Sequence, residues 1–225
     1  MTFSLAARCA RTGQFAVAVS SSSPAVAARC AFARAGVGAV TTQNITDPRL
    51  GPLALEFLAQ GLSAEEACAA VLAQAPHPQY RQLTIIDKNG RTAMASGAMI
   101  LGVHASASGE DIVSAGNLLA DPCVPAAVVR AFTASAGMAE LGDRVIAAMQ
   151  AGLAAGGEAG PLRSAGMIIV DDVAWNIADL RVDWHDAPIE ALDELWRLWK
   201  PQMSDYVTRA LNPSTAPSYG VPGDK

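Results

Sequence analysis

Aromatic residues make up only 5% of the 225-residue sequence, and charged residues only 16%. With hydrophobic residues at 51%, a large core is available, and it has to be built from small side chains, chiefly Ala, Val, Leu and Ile. This composition argues against disorder, a collagen-like chain or a small disulfide scaffold. Lys and Arg number 16 against 21 Asp and Glu, a net charge of −5, and no basic stripe occurs. Without clustered cations to neutralise phosphates, nucleic-acid binding is disfavoured. Long hydrophobic runs are missing too: Gly, Pro or charge interrupts every apolar stretch before it reaches bilayer length. The start, Met1-Thr2-Phe3-Ser4-Leu5-Ala6-Ala7-Arg8, lacks the positive lead and unbroken apolar run of a signal peptide. No membrane partner is expected. Four cysteines (Cys9, Cys30, Cys68 and Cys123) are irregularly spaced, without a CxxC pair and with only three histidines beside them. Neither a zinc site nor a disulfide framework is indicated. The expectation is a cytoplasmic protein with reduced, mostly buried thiols.

The first forty residues read as strands. Phe3, Leu5 and Ala7 alternate with Thr2, Ser4 and Arg8, the period of a half-buried strand. A turn at Arg11-Thr12-Gly13-Gln14 leads into a second strand from Phe15 to Val19, and a third is predicted over Ala35–Thr42. Helical pattern follows around Leu53–Leu58, ended by Gly61, and again after Ser63-Ala64-Glu65-Glu66, a capping box. Strands return at Gln82–Ile86, Arg91–Ser96 and roughly Met99–Ala115. Asp121-Pro122 is expected to open the next helix, and Leu141–Ala155 forms another. Strands near Ala165–Val170 and Ile177–Val182 precede a last helix with Ile189, Leu192, Leu195, Trp196 and Trp199 on one stripe, stopping at Pro201. Strands in antiparallel-looking runs between helix pairs argue against a doubly wound parallel sheet. The predicted class is α+β, a four-layer αββα sandwich, in one domain over 1–211 with a loose tail over 212–225.

Familiar catalytic signatures are absent: there is no GxSxG elbow, P-loop, HExxH or dinucleotide fingerprint. Asp171 and Asp172 are adjacent on a strand end, so they point apart. His77 and His185 read as surface or structural residues; His104, ending a strand-like run, has the best chance of lining a pocket. Thr2 is of more interest. Removal of Met1 would leave a threonine with a hydroxyl nucleophile and a free α-amine, whose ordinary pKa of about 7.7–8.0 leaves part of it neutral and able to take the hydroxyl proton. Asn117 either donates its amide to an oxyanion or caps a turn. Thr42, Gln43 and Asn44 could present polar groups beside Thr2 or serve strand-to-loop hydrogen bonds. Arg163-Ser164 could hold a substrate carboxylate through the guanidinium fork, or Arg163 could pair with Glu158 or another acid.

The segments Thr2-Phe3-Ser4-Leu5-Ala6-Ala7-Arg8, Ala33-Arg34-Ala35-Gly36-Val37-Gly38-Ala39-Val40, Arg81-Gln82-Leu83, Gly116-Asn117-Leu118-Leu119-Ala120 and Asp179-Leu180-Arg181-Val182-Asp183 occur in one order that resembles the bacterial domain-of-unknown-function family 1028. The resemblance runs to about Trp199 and implies an N-terminal-nucleophile (Ntn) hydrolase-like fold and amide hydrolysis. Cys9 stands where the family tends to have Asp, Ser20 where it tends to have Gln, and Gly160-Pro161 and Arg163 where it has Arg-Gly and Gln.

The resulting expectation is an amidohydrolase acting on a small-molecule amide or cyclic amide. Its catalytic residues would be Thr2 and Asn117, with Thr42, Gln43, Asn44, His104, Arg163 and Ser164 around the substrate. No metal or cofactor is expected. The rival is a non-catalytic binding or accessory protein of the same fold; a further option puts the nucleophile on Cys9 or in the Ser20–Ser23 run. A homodimer is a secondary expectation, with Trp196 and Trp199 turned inward or toward a partner.

Overall fold

The computed structural model describes residues 1–221. Two antiparallel sheets stack face to face. The first has six strands in the order β10-β9-β2-β1-β8-β7, formed by β1 (Thr2–Arg8), β2 (Phe15–Ser21), β7 (Ala105–Gly109), β8 (Ile112–Asn117), β9 (Ser164–Val170) and β10 (Asn176–Val182). The second is β3-β4-β5-β6, from β3 (Ala31–Arg34), β4 (Gly38–Asn44), β5 (Arg81–Asp87) and β6 (Thr92–Ser96). Successive residues of a strand face opposite sides, so β1 divides its side chains between two cores. Phe3, Leu5 and Ala7 pack on the helices α4 (Val124–Ala134), α5 (Leu141–Ala154) and α6 (Pro188–Trp199). Ala6 turns the other way, against the second sheet. The outer face of that sheet packs on α2 (Leu50–Ala59) and α3 (Ala64–Gln74). The order of layers is therefore helices, sheet, sheet, helices, as the sequence predicts. A four-residue helix, α1 (Ala27–Cys30), adds Ala27 and Cys30 to the layer between the sheets.

Small side chains let the sheets approach. Between them lie Ala6, Val17, Val19, Ala39, Val113 and Ile168, the sparsely aromatic core that the composition requires. The capping box forms as predicted: Ser63 Oγ accepts from Glu66 N–H, and the Glu66 carboxylate accepts from Ser63 N–H. Asp87 closes the β5–β6 turn, accepting from the backbone N–H groups of Asn89 and Arg91 and from the Arg91 guanidinium.

Several elements depart from the sequence reading. The third predicted strand is a hairpin, β3 then β4, because Gly36 takes a left-handed φ of 67° and turns the chain where an extended run was expected. Residues 97–104 form a loop rather than strand, ahead of the β7–β8 hairpin. The helix predicted from Asp121-Pro122 begins at Val124; Asp121 accepts from Cys123 N–H just before it. Helical structure also resumes beyond Pro201 as α7 (Met203–Leu211), since proline is tolerated in the first turn of a new helical segment.

Trp196 and Trp199 both turn inward. Trp196 is buried and donates to Asp143, and Trp199 donates to the Ile177 carbonyl and stacks on Tyr206. Leu195, placed on the same stripe from the sequence, is exposed. Within the predicted tail, Pro213–Thr215 forms a 3-10 turn, and Arg209 reaches Pro217 O and the Tyr219 ring; 222–225 lie outside the described residues. No helix among the described residues is long and apolar enough to cross a membrane. The four cysteines are free thiols, three buried and Cys123 exposed.

Candidate active site

The register of the first sheet sets the site. Thr2 begins β1, the strand between β2 and β8, and lies opposite Ser21 on one side and Asn117 on the other. All three are at strand ends and buried, Thr2 at 6% exposure. Thr2 Oγ1 and Ser21 Oγ both donate to the Met1 carbonyl oxygen, each at 2.5 Å, and the two hydroxyls are 3.4 Å apart. Ser23 holds Ser21 in place, with its hydroxyl 2.8 Å from Ser21 Oγ and its N–H donating to the same oxygen. A carbonyl group thus rests against the threonine hydroxyl with a second hydroxyl donor beside it.

Glu158 closes this end of the sheet. Beyond the strand ends its segment bridges to Leu119, with Ala159 N–H donating to Leu118 O and Ala120 N–H to Gly157 O. One carboxylate oxygen, Oε2, accepts from Ser22 N–H at 3.0 Å; Oε1 is buried without a hydrogen-bond partner. Burial pushes the Glu158 carboxyl up from 4.5 to about 7, while the positive charge of the chain's amino terminus and the Ser22 contacts pull it down.

The floor is a polar network that spans the two sheets. Ser4, two residues along the same face of β1, donates to Gln43 Oε1 at 2.6 Å. Gln43 Nε2 and Asn117 Nδ2 both donate to Gln82 Oε1, at 2.8 and 3.1 Å. Gln82 Nε2 in turn donates to Gly116 O and Ser96 Oγ. Each amide here is engaged, as buried polar groups must be to avoid the cost of an unmade hydrogen bond.

The structure brings Thr2, Asn117 and Gln43 together and sends the remaining predicted residues elsewhere. Thr42 lies on the opposite face of β4 from Gln43, the helix-facing side with Val40, and its hydroxyl is buried without a partner. Asn44 takes a left-handed φ of 72° and ties two loops, donating to Tyr80 O and accepting from Leu101 N–H. His104 is on the exposed loop before β7, its ring beside Gly102 O. The Arg163 guanidinium pairs with Asp186 rather than Glu158 and lies over the Trp184 ring. Ser164 braces the chain after β2, donating to Ser23 O and accepting from Val26 N–H.

Ser21 and Glu158 were not singled out in the sequence for these positions. Ser21 lies in the Ser20–Ser23 run that the sequence offers only as an alternative nucleophile, and Glu158 enters there only as an acid that could pair with Arg163. Ser21 has a signal in pairing, since a polar residue ending the strand that follows the first turn has to sit beside the start of β1; Glu158 is placed by an isolated bridge to Leu119, which no spacing rule supplies. Cys9, the alternative nucleophile, is at the other end of β1, roughly 23 Å away at 3.3 Å per residue. There it lines a separate cavity of about 280 Å³ with Arg11, Thr133 and Arg144. Burial pushes its thiol up, but hydrogen bonds from Thr12 and Arg11 outweigh this and hold it below its ordinary value. Among the described residues no three His, Cys, Asp or Glu side chains gather as metal ligands would.

A search of curated proteins returns no match. Among solved structures, a crystal structure of a Silicibacter pomeroyi protein assigned to family DUF1028 superposes with a TM-score of 0.82 at 28% identity, covering 91% of this chain and 89% of that one. An ancestral β-subunit (Anbu) from Yersinia bercovieri aligns over 91% of this chain and 96% of its own at 11% identity, with a TM-score of 0.38, too low to support a shared fold. The model of the family of unknown function DUF1028 matches residues 2–192. The chain belongs to this family.

Proposed function

We propose that the protein is an N-terminal-nucleophile amidohydrolase acting on a small amide, with Thr2 as nucleophile once Met1 has been removed. Thr2 Oγ1 attacks the substrate carbonyl carbon while its proton passes to the neutral Thr2 α-amine. The tetrahedral oxyanion is held by hydroxyl and backbone donors. The C–N bond then breaks, with the proton delivered to the leaving nitrogen, and an ester on Thr2 remains. Water attacks the ester, the amine takes its proton, and the acid leaves as the hydroxyl is restored.

One observation carries this reading: the Thr2 and Ser21 hydroxyls converge at 2.5 Å on a single carbonyl oxygen, that of Met1. Ser21 therefore takes the donor role that the sequence assigned to Asn117, whose amide is engaged by Gln82. The rival reading, a binding protein of the same fold, is favoured by the same contact if Met1 stays, because Met1 then fills the seat and blocks the amine.

Intact mass and paired assays separate the two. Wild type, with Met1 absent, is expected to hydrolyse members of a panel of amides, lactams and ureido compounds, and Thr2→Ala to lose at least ~10³-fold in kcat. Undiminished turnover by Thr2→Ala removes the nucleophile; retained Met1 without turnover by either protein favours the binding reading.

A further inference from the structure

Four strands form the edges of the two sheets: β3 and β6 of the smaller, β7 and β10 of the larger. An edge strand presents backbone N–H and C=O groups to any strand that can pair with it, and charge or proline protects it. Ion pairs guard two of the four, Arg34–Glu56 on β3 and Asp179–Arg181 on β10. β6 is set back beneath β8, which leaves β7 as the edge that projects. Its sequence is Ala105-Ser106-Ala107-Ser108-Gly109, with no charge and no proline. It closes the longest stretch of the chain without Asp, Glu, Lys or Arg, from Thr92 to Gly109. Ahead of β7, the loop over 97–104 leaves Met99, Leu101 and Val103 exposed at 50%, 45% and 46%. At its other end Glu110 is exposed and, with Met138, lines the cavity of about 280 Å³ that also holds Cys9. Met138 is itself 45% exposed.

We infer that β7 pairs with β7 of a second copy of this chain, antiparallel about a twofold axis at Ala107, joining the two six-stranded sheets into one. A twofold contact sets each group near the axis against its own kind. A charged strand would therefore repel itself, and β7 carries no charge. Its small side chains leave the backbone open to a partner. In this register Ser106 lies opposite Ser108, and the exposed Glu110 lies opposite the second copy's His104, an acid against a base at both ends of the ladder. The same register brings the apolar loop of each copy to the Met138 end of the other. Burial there adds the area-dependent attraction that a short strand pair lacks by itself. With a net charge of −5 on each copy, approach is least opposed at an uncharged face. The contact falls beside the candidate site, because Leu118 and Leu119 donate to Leu101 O and Val103 O just past Asn117. It needs no assumption about the chemistry at Thr2.

Sedimentation equilibrium of the full-length protein over the micromolar range should show a monomer–dimer equilibrium. Two double variants, Ser106→Lys with Ser108→Lys and Ser106→Glu with Ser108→Glu, put like charges across the axis. Each should raise the dissociation constant at least about a hundredfold. Mixed in equal amounts, they should form a mixed dimer at least as tight as wild type, which misfolding of either would prevent. Val103→Ser should weaken the dimer about tenfold. Leu198→Ser, which trims a more exposed apolar residue on α6, should leave it unchanged. A wild-type monomer throughout the range, or open-ended association beyond the dimer, overturns the inference. So does a dimer that survives both double variants, or one that Leu198→Ser dissolves. Failure of the mixture to associate, when both variants melt at the wild-type temperature, rules out the twofold register.

Discussion

The layer between the sheets is apolar at one end and polar at the other, and a single strand contributes to both. On β5, Ile86 joins Ala6, Val17 and Ile168 in a dry cluster, while Gln82, four residues back on the same face, is the centre of the amide network beneath Thr2. Thr84 lies between them, its hydroxyl 2.6 Å from that of Thr41. Both ends are buried to the same degree, with Gln82, Thr84 and Ile86 all at 0% exposure. Burial therefore does not separate a structural region from a functional one in this protein; the requirement for partners does. The apolar end is held by area removed from water and close packing. The polar end is held by a set of hydrogen bonds in which each loss strands several groups.

The largest expected effect comes from breaking the polar end. Gln82→Ala would leave Gln43, Asn117 and the Gly116 carbonyl without their shared partner, and should cost about 4 kcal/mol or more in urea unfolding. A loss under about 1 kcal/mol would show that water or neighbours readily replace the network. At the apolar end, Ile86→Ala should cost about 3 kcal/mol through a cavity, without the altered environment at Thr2 that Gln82→Ala brings; amide chemical shifts around residues 2–4 and 116–118 would report that contrast.

Glu158 sharpens the comparison, as the one carboxylate at the polar end with an unpartnered buried oxygen among the described residues. Its pKa is raised from 4.5 in the unfolded chain to about 7 in the fold. The stability this supplies is therefore fully present below about pH 4.5 and is lost as pH rises through 7. Glu158→Gln should accordingly stabilise the protein above pH 7, by about 3 kcal/mol at most, and by little below pH 4.5. Thermal melts at pH 8 and pH 4 measure this, and equal effects at both would remove the carboxylate's charge from the account. The smallest effect should come from Ser63→Ala, which removes the α3 cap far from the layer and should cost about 1 kcal/mol at every pH from 6 to 9, leaving ligand binding unchanged.

How much of this was legible follows from how local each cause is. The β1 alternation and the Ser63–Glu66 box are readable because each is decided within a few residues. Thr42 was placed beside Thr2 together with Gln43, although neighbours on a strand face opposite ways; that correction was available from the sequence. Arg163 was harder. Its choice of Asp186 over Glu158 depends on how the chain beyond β10 returns toward β9, and no spacing rule supplies that path.

The sequence by itself determined a small-residue α+β core, the strand and helix pattern of four layers, and a threonine at the head of the first strand, because composition and periodicity act through short stretches of chain. Tertiary structure alone decided that Glu158 reaches the backbone of Ser22 at this end of the sheet and that Asn117 belongs to the Gln82 network. Those neighbours are fixed by antiparallel register and by the close packing of one sheet on another, which bring together residues more than a hundred positions apart.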